Sequence, residues 1–198
     1  MRLCALLVFT VIASTPALLM AHVTGDHHHG SSLGGAFGAG LLHPLTGLDH
    51  LLAMVALGLW ISSAAARERL FIAGTFAAAM LLGGALSFAV PDVPAVEFII
   101  ASSVIVLGLL VATARRSTLV PAIAAAAGFA LFHGYAHGTE MGSMAAVPYF
   151  AGFAATSAAL VAGAAWLGTI GKGVEQWTLQ PVGAAIATVG IVLIISGL

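Results

Sequence analysis

Apolar positions run along this chain in six long stretches, at residues 34–64, 70–90, 95–114, 118–138, 144–170 and 178–198. Short polar breaks separate them: "RER" at 67–69, "PDVP" at 91–94, "RRS" at 115–117, "GTEMGS" at 138–143 and "GKGVEQ" at 171–176. Several stretches approach or exceed the roughly 20 apolar residues that carry a helix across a bilayer. The pattern therefore predicts an all-α, polytopic membrane protein with a bundle of six transmembrane helices over residues 34–198. Ahead of the bundle lies "MRLCALLVFTVIASTPALLMA", one Arg followed by an apolar stretch and small residues near its end. That is the layout of a secretory signal peptide over residues 1–21, with cleavage after Ala17 or an uncleaved first helix as the alternatives. Residues 22–33, beginning "HVTGDHHHGSS", form a polar, histidine-rich tail.

Composition supports the membrane assignment. Hydrophobic residues make up 61% of the chain and charged residues only 7%, against about a quarter charged in an ordinary soluble domain. The net charge of −1 gives no footprint for nucleic acid. Arg67 and Arg69, then Arg115 and Arg116, then Lys172 fall in alternate breaks, while Asp92 and Glu140 occupy the others. Positive loops stay cytoplasmic, which predicts that both termini lie outside. The one cysteine is Cys4. Removal of the signal segment leaves histidine and carboxylate as the available metal ligands. Glycines at Gly34/Gly38 and Gly134/Gly138 have the small-xxx-small spacing of closely packed membrane helices.

Two polar clusters interrupt the apolar runs: "HPLTGLDH" at 43–50 and "FHGYAHGTE" at 132–140. Counting from the flanking arginines places them at matching depths. His50 is 17 residues before Arg67 and His133 is 17 after Arg116, which is about 25 Å of helix in each case. His43 and Glu140 are each 24 residues from the same arginines, and Asp49 and Glu97 are each 18 from Arg67 and Arg115. His137 falls between the two levels. The clusters meet if the first, third and fourth helices are neighbours. His133 and His137 are one helical turn apart, a spacing that can share a metal ion. His43 and His50 would be separated by about 10 Å on a straight helix. A kink near Pro44 is expected instead, with Asp49 and His50 on the first turns beyond it, because proline disfavours helical geometry in the residue before it and sits well at a helix start.

Buried carboxylates in a span each cost about 2.5–3.5 kcal/mol on insertion scales and usually mark an ion or substrate path. Asp49, Glu97 and Glu140 beside His43, His50, His133 and His137 offer nitrogen and oxygen donors without sulfur. Such a set suits Ni²⁺, Co²⁺, Zn²⁺ or Mn²⁺. The tail adds His22, His27, His28 and His29, and a histidine-rich tract reads as metal-collecting. Glu97 alone also fits an interfacial position, and the tail also fits a solvated linker.

"HPLTGLDHLLAMVALGLW" and "FHGYAHGTE" resemble the signatures of the HupE/UreJ family of nickel permeases, and the likeness extends over nearly the whole chain. It implies passage of nickel across the bacterial cytoplasmic membrane for hydrogenase or urease maturation, with the tail in the periplasm. It carries His43, Asp49 and His50 from the first motif, and His133, His137 and Glu140 from the second. Neither motif departs from the pattern. Ni²⁺ is then the cargo, with Co²⁺ the near alternative, and no prosthetic group is expected. The lipid bilayer is the other implied partner, and homo-oligomerisation stays open. No phosphate-binding loop points to a pump, since "GTIGKG" at 168–173 lacks both the spacing and the Ser/Thr of that motif. The rival classes are a membrane metalloenzyme, a bis-histidine haem protein, and a metal sensor that binds without transporting.

Overall fold

A computed structural model describes residues 32–90, 93–113, 118–170 and 179–197. Among them are seven α-helices: α1 (Leu33–Thr46), α2 (Leu48–Ile61), α3 (Ala66–Leu86), α4 (Val96–Ala112), α5 (Leu119–Glu140), α6 (Ala146–Ile170) and α7 (Leu179–Ser196). The proposed signal peptide and the tail histidines His22, His27, His28 and His29 lie outside the described residues. So do Asp92, Arg115, Arg116 and Lys172.

Each predicted apolar run corresponds to a helix, except that the first is two. α3, α5, α6 and α7 are long and apolar enough to cross a membrane. α1 and α2 together form a fifth candidate span, bent by 75° at one break, and α4 is a shorter apolar helix of 17 residues. These are the apolar helices of a multi-pass membrane protein. Leu70, Phe71, Val120, Val147 and Ile195 stand exposed along their outer faces.

The break falls near Pro44, with Asp49 and His50 in the first turn beyond it as expected, but it lies three residues further on. His43 and Pro44 are both helical, in the last turn of α1, and the chain leaves the helix at Gly47 with φ −80° and ψ 114°. Proline removes a hydrogen bond but keeps a helical φ, so it weakens the last turn without ending it. Gly47 then serves both helices. Its N–H donates to the His43 carbonyl at 3.2 Å, and its own carbonyl accepts from Leu51 N–H at 2.9 Å. A Cβ here would lie 2.9 Å from His50 Nδ1 and 3.1 Å from Asp49 Oδ1, so the side chains folded over the break leave room only for glycine.

Two of the polar breaks, among the described residues, are also shorter than the sequence suggests. "RER" is helical, in the first turn of α3. Glu68 Oε2 accepts from Ala65 N–H at 3.0 Å, and Arg69 Nη1 donates to the Ser62 carbonyl at 3.1 Å. Glu68 thus satisfies an N–H at the start of α3, and Arg69 a carbonyl at the end of α2, groups that helix ends otherwise leave free. Gly138, Thr139 and Glu140 likewise extend α5 rather than forming a loop.

α2 is the central element. His50 and nearly every residue from Leu52 to Ile61 are buried, as expected of a helix surrounded by others. It packs against α6, α4 and α7, while α1 lies along α6, α3 along α5 and α4 along α7. Glycines set these approaches. A Cβ at Gly40 would strike the backbone of α6 at Tyr149, and one at Gly134 would strike the backbone of α3 at Met80. Of the two predicted pairs, Gly134/Gly138 meets a neighbouring helix. Gly34/Gly38 does not, since nothing lies within 4 Å of a Cβ at either position.

Candidate metal site

The bend in the first span brings the two polar clusters together. His50 opens α2 and turns back toward α1, so its ring centroid lies 6.0 Å from that of His43. A straight helix would hold these residues about 10 Å apart along its axis. α5 supplies the opposing face. His137 lies 4.5 Å from His43 and 4.1 Å from His50 between ring centroids, and His133 lies 4.8 Å from His50. The pairings match those drawn from residue counting: His50 beside His133, and His43 beside Glu140.

The donors form two groups that share His137. In the outer, more exposed group, His43 Nε2 and Glu140 Oε2 are 3.0 Å apart. Among the described residues, His43, His137 and Glu140 each bring one donor atom within 4.8 Å of the others. His137 Nδ1 is 3.8 Å from Glu140 Oε2, too far for a hydrogen bond. This group is partly open, with the Glu140 side chain 40% exposed and that of His43 27%.

The second group is buried: His50, His133 and His137 are each at most 3% exposed. Each of the first two rings is held from behind. His50 Nδ1–H donates to Asp49 Oδ1 at 2.6 Å, and His50 N–H donates to the same oxygen at 2.8 Å. His133 Nε2 is 2.9 Å from Ser103 Oγ on α4. What remains is His50 Nε2, His133 Nδ1 and both nitrogens of His137, all buried and without a hydrogen-bond partner. Buried polar atoms are rarely left unpaired in proteins, and three imidazole rings in one place, each able to turn one unpartnered nitrogen lone pair to an ion, are a ligand set in waiting. Neutral imidazole is a ready ligand for divalent transition ions.

Asp49, taken from sequence as a donor of the same rank as the histidines, stands behind His50 and orients it. A carboxylate behind a histidine fixes the tautomer and raises the basicity of the free nitrogen. Glu97 is exposed in the first turn of α4 and lies outside the three gathered donors. Tyr135, within the second motif, faces elsewhere. Its hydroxyl accepts from Val93 N–H and donates to the Val90 carbonyl, each at 3.1 Å, and so pins the connection between α3 and α4.

Three neighbours of the site carried no signal in the sequence. Ser103 sits in the apolar run "IIASSVIV", where a serine normally bonds its own helix. Phe153 of α6 lays its ring 3.8 Å from that of His137 and closes the cluster on that side. Tyr149, one turn earlier on α6, is fully buried with its ring 6.0 Å from His43. An apolar helix rich in alanine gives no hint of which face meets the histidines.

Comparison with known proteins identifies the family. The family described as HupE / UreJ protein matches residues 9–193. Protein HupE of Rhizobium leguminosarum bv. viciae is 37% identical over 183 residues, covering 91% of this chain and 92% of that protein. No solved structure gives a significant match. The family match spans both helices of the bent first segment and the whole of the histidine cluster, and the chain belongs to the HupE/UreJ family.

Proposed function

We propose that this protein is a nickel permease of the bacterial cytoplasmic membrane, with Ni²⁺ as cargo and Co²⁺ as the nearest competitor, serving the maturation of hydrogenase or urease. In this reading six spans cross the membrane, α1 and α2 making one of them. Both termini face the periplasm, a signal peptide over residues 1–21 is removed, and the cluster opens outward. The observation that carries the reading is the set of three buried imidazole rings with unpartnered nitrogens beside a half-open His–carboxylate group. Such a pair of stations in series suits conduction, which needs sites strong enough to enter and weak enough to leave. Membership of the HupE/UreJ family supports an accessory or transport role rather than catalysis.

Ni²⁺ collected by His22, His27, His28 and His29 first exchanges hydration water for His43 and Glu140. To take the ion, His43 turns a ring lone pair to it in place of the hydrogen bond to Glu140. His137 completes the outer set and, by rotating toward His50 and His133, passes the ion inward. Asp49 supplies a compensating negative charge through His50, and Glu97 a second carboxylate at the same level. Irregular backbone at Gly47 is tolerable at this depth because it borders the site rather than lipid.

The test is uptake of radiolabelled nickel by cells that lack their own nickel transporters. The parent protein is compared with Asp49→Ala, His50→Ala and His137→Ala at matched expression. Uptake by the parent and its loss in the variants is the expected result. No uptake by a correctly inserted parent would sink the permease reading and favour a sensor or metalloenzyme.

A further inference from the structure

The hydrogen bonds around Ser103 assign a role to a residue outside both histidine motifs. Its hydroxyl is fully buried, 2.6 Å from the Ile100 carbonyl of its own helix and 2.9 Å from His133 Nε2 of α5. A serine hydroxyl has one hydrogen to give. Two arrangements are open. If Ser103 donates to Ile100 O, its oxygen accepts from His133 Nε2–H, and every hydrogen in the chain is bonded. If Ser103 donates to His133 Nε2, the ring proton moves to Nδ1, which is buried with no partner. A buried N–H without an acceptor is the rarer and costlier defect, while an unused lone pair is better tolerated. The first arrangement therefore prevails, and it leaves His133 with a lone pair on Nδ1.

We propose that Ser103 is a positioning residue for the metal path. By accepting from His133 Nε2–H, it holds the ring in the tautomer whose Nδ1 lone pair is free to take the ion. The proposal deepens the permease reading and rests on it for the word "ion", but the tautomer stands on the hydrogen bonds alone. It makes Ser103 the counterpart of Asp49. One holds His133 and the other His50, each through the nitrogen turned away from the shared centre. A hydroxyl does this without adding charge. The pair of supports therefore carries a single negative charge, which keeps the divalent cation from being trapped.

The experiment uses full-length protein purified in detergent with ¹⁵N-labelled histidine. In the metal-free state at neutral pH, the His133 signals are assigned by difference from His133→Gln. The expected result is a single Nε2–H tautomer in the parent, lost or mixed in Ser103→Ala. Ser157→Ala is the control. Its hydroxyl is also buried in an apolar helix but has no hydrogen-bond partner, so its removal should leave His133 as in the parent. Titration with Ni²⁺ should then show affinity about 10–100-fold weaker in Ser103→Ala, the usual effect of losing a group that orients a metal-bound histidine. Ser157→Ala should match the parent.

An Nδ1–H tautomer in the parent would overturn the proposal, as would an unchanged tautomer in Ser103→Ala. A shifted tautomer with undiminished nickel affinity would also overturn it, by removing Nδ1 from the ligand set. A parent that binds no nickel would defeat the permease reading together with the ligand role of Nδ1, and the tautomer spectra would separate that failure from an error in the hydrogen bonding.

Discussion

The two groups that share His137 are built on different principles. The outer one, His43 with Glu140, carries a carboxylate, is partly exposed, and already has three donor atoms gathered within 4.8 Å. The inner one, His50 with His133, is buried and made of imidazole rings. Their supports, Asp49 and Ser103, act on the far nitrogens and leave the near ones free. In the proposed function the difference is one of task. A charged, accessible group captures a hydrated cation quickly, whereas a buried group of imidazole donors strips its water. Two stations of different character in series let an ion move on, where one tight cage would retain it.

The largest effect should follow from removing the residue common to both. His137→Ala deletes a donor from each group at once, and nickel affinity is expected to fall about 100-fold or more, near 3 kcal/mol. Uptake should fall to background. If calorimetry of the variant shows one of two binding events intact, the groups do not share His137 and the scheme of a pivoting ring fails.

Asp49→Asn is expected next, because it touches only the inner group. The amide keeps the shape but loses the charge, and it no longer obliges His50 to place its proton on Nδ1. Loss of such a support typically costs about 10–100-fold in affinity. Binding of a single equivalent at the outer group should persist. Loss of both events would mean that Asp49 acts on the whole cluster rather than through His50.

That division of labour was only half legible in the sequence. The existence of the cluster was, because helix rise is constant and arginines mark one end of the spans. Counting residues put His50 level with His133 and His43 level with Glu140, as their contacts have it. The bend was legible to within three residues, but its pivot was not. Pro44 draws attention as the helix breaker, yet the chain turns at Gly47, where the crowding of Asp49 and His50 against the backbone decides the matter. Ranking Asp49 apart from the histidines needed a hydrogen bond between adjacent residues, which spacing cannot reveal. The glycine pairs show the same limit. Gly34/Gly38 and Gly134/Gly138 have one spacing, but only the second pair faces a helix, because a repeat fixes a stripe on a helix and not what lies opposite it.

Glu140→Gln should have a smaller effect, about threefold to tenfold, expressed mainly in the rate of nickel entry and its dependence on salt. Charges at an exposed rim act chiefly on association. Stopped-flow binding at low and high ionic strength measures it. The parent should slow with salt and the variant should scarcely respond. A variant with normal entry but a much faster release would instead make Glu140 a ligand of the strength assigned to the imidazoles.

The smallest effect is expected at Tyr149, where the contrast between the groups is open to its closest test. Its ring is buried beside His43, and its hydroxyl has no hydrogen-bond partner. A buried hydroxyl without a partner costs free energy, so Tyr149→Phe should unfold at the same temperature or slightly higher, a change of about 1 kcal/mol at most. Nickel affinity should stay within about twofold of the parent, well under 1 kcal/mol. A tenfold loss would carry a different meaning. The hydroxyl would then be serving the bound ion, by donating to Glu140 or to a water that the ion retains. The outer group would have a hydroxyl support of its own, as the inner group has in Ser103. Capture and dehydration would no longer be divided between an unsupported and a supported group, and the outer set would be a binding station of equal rank.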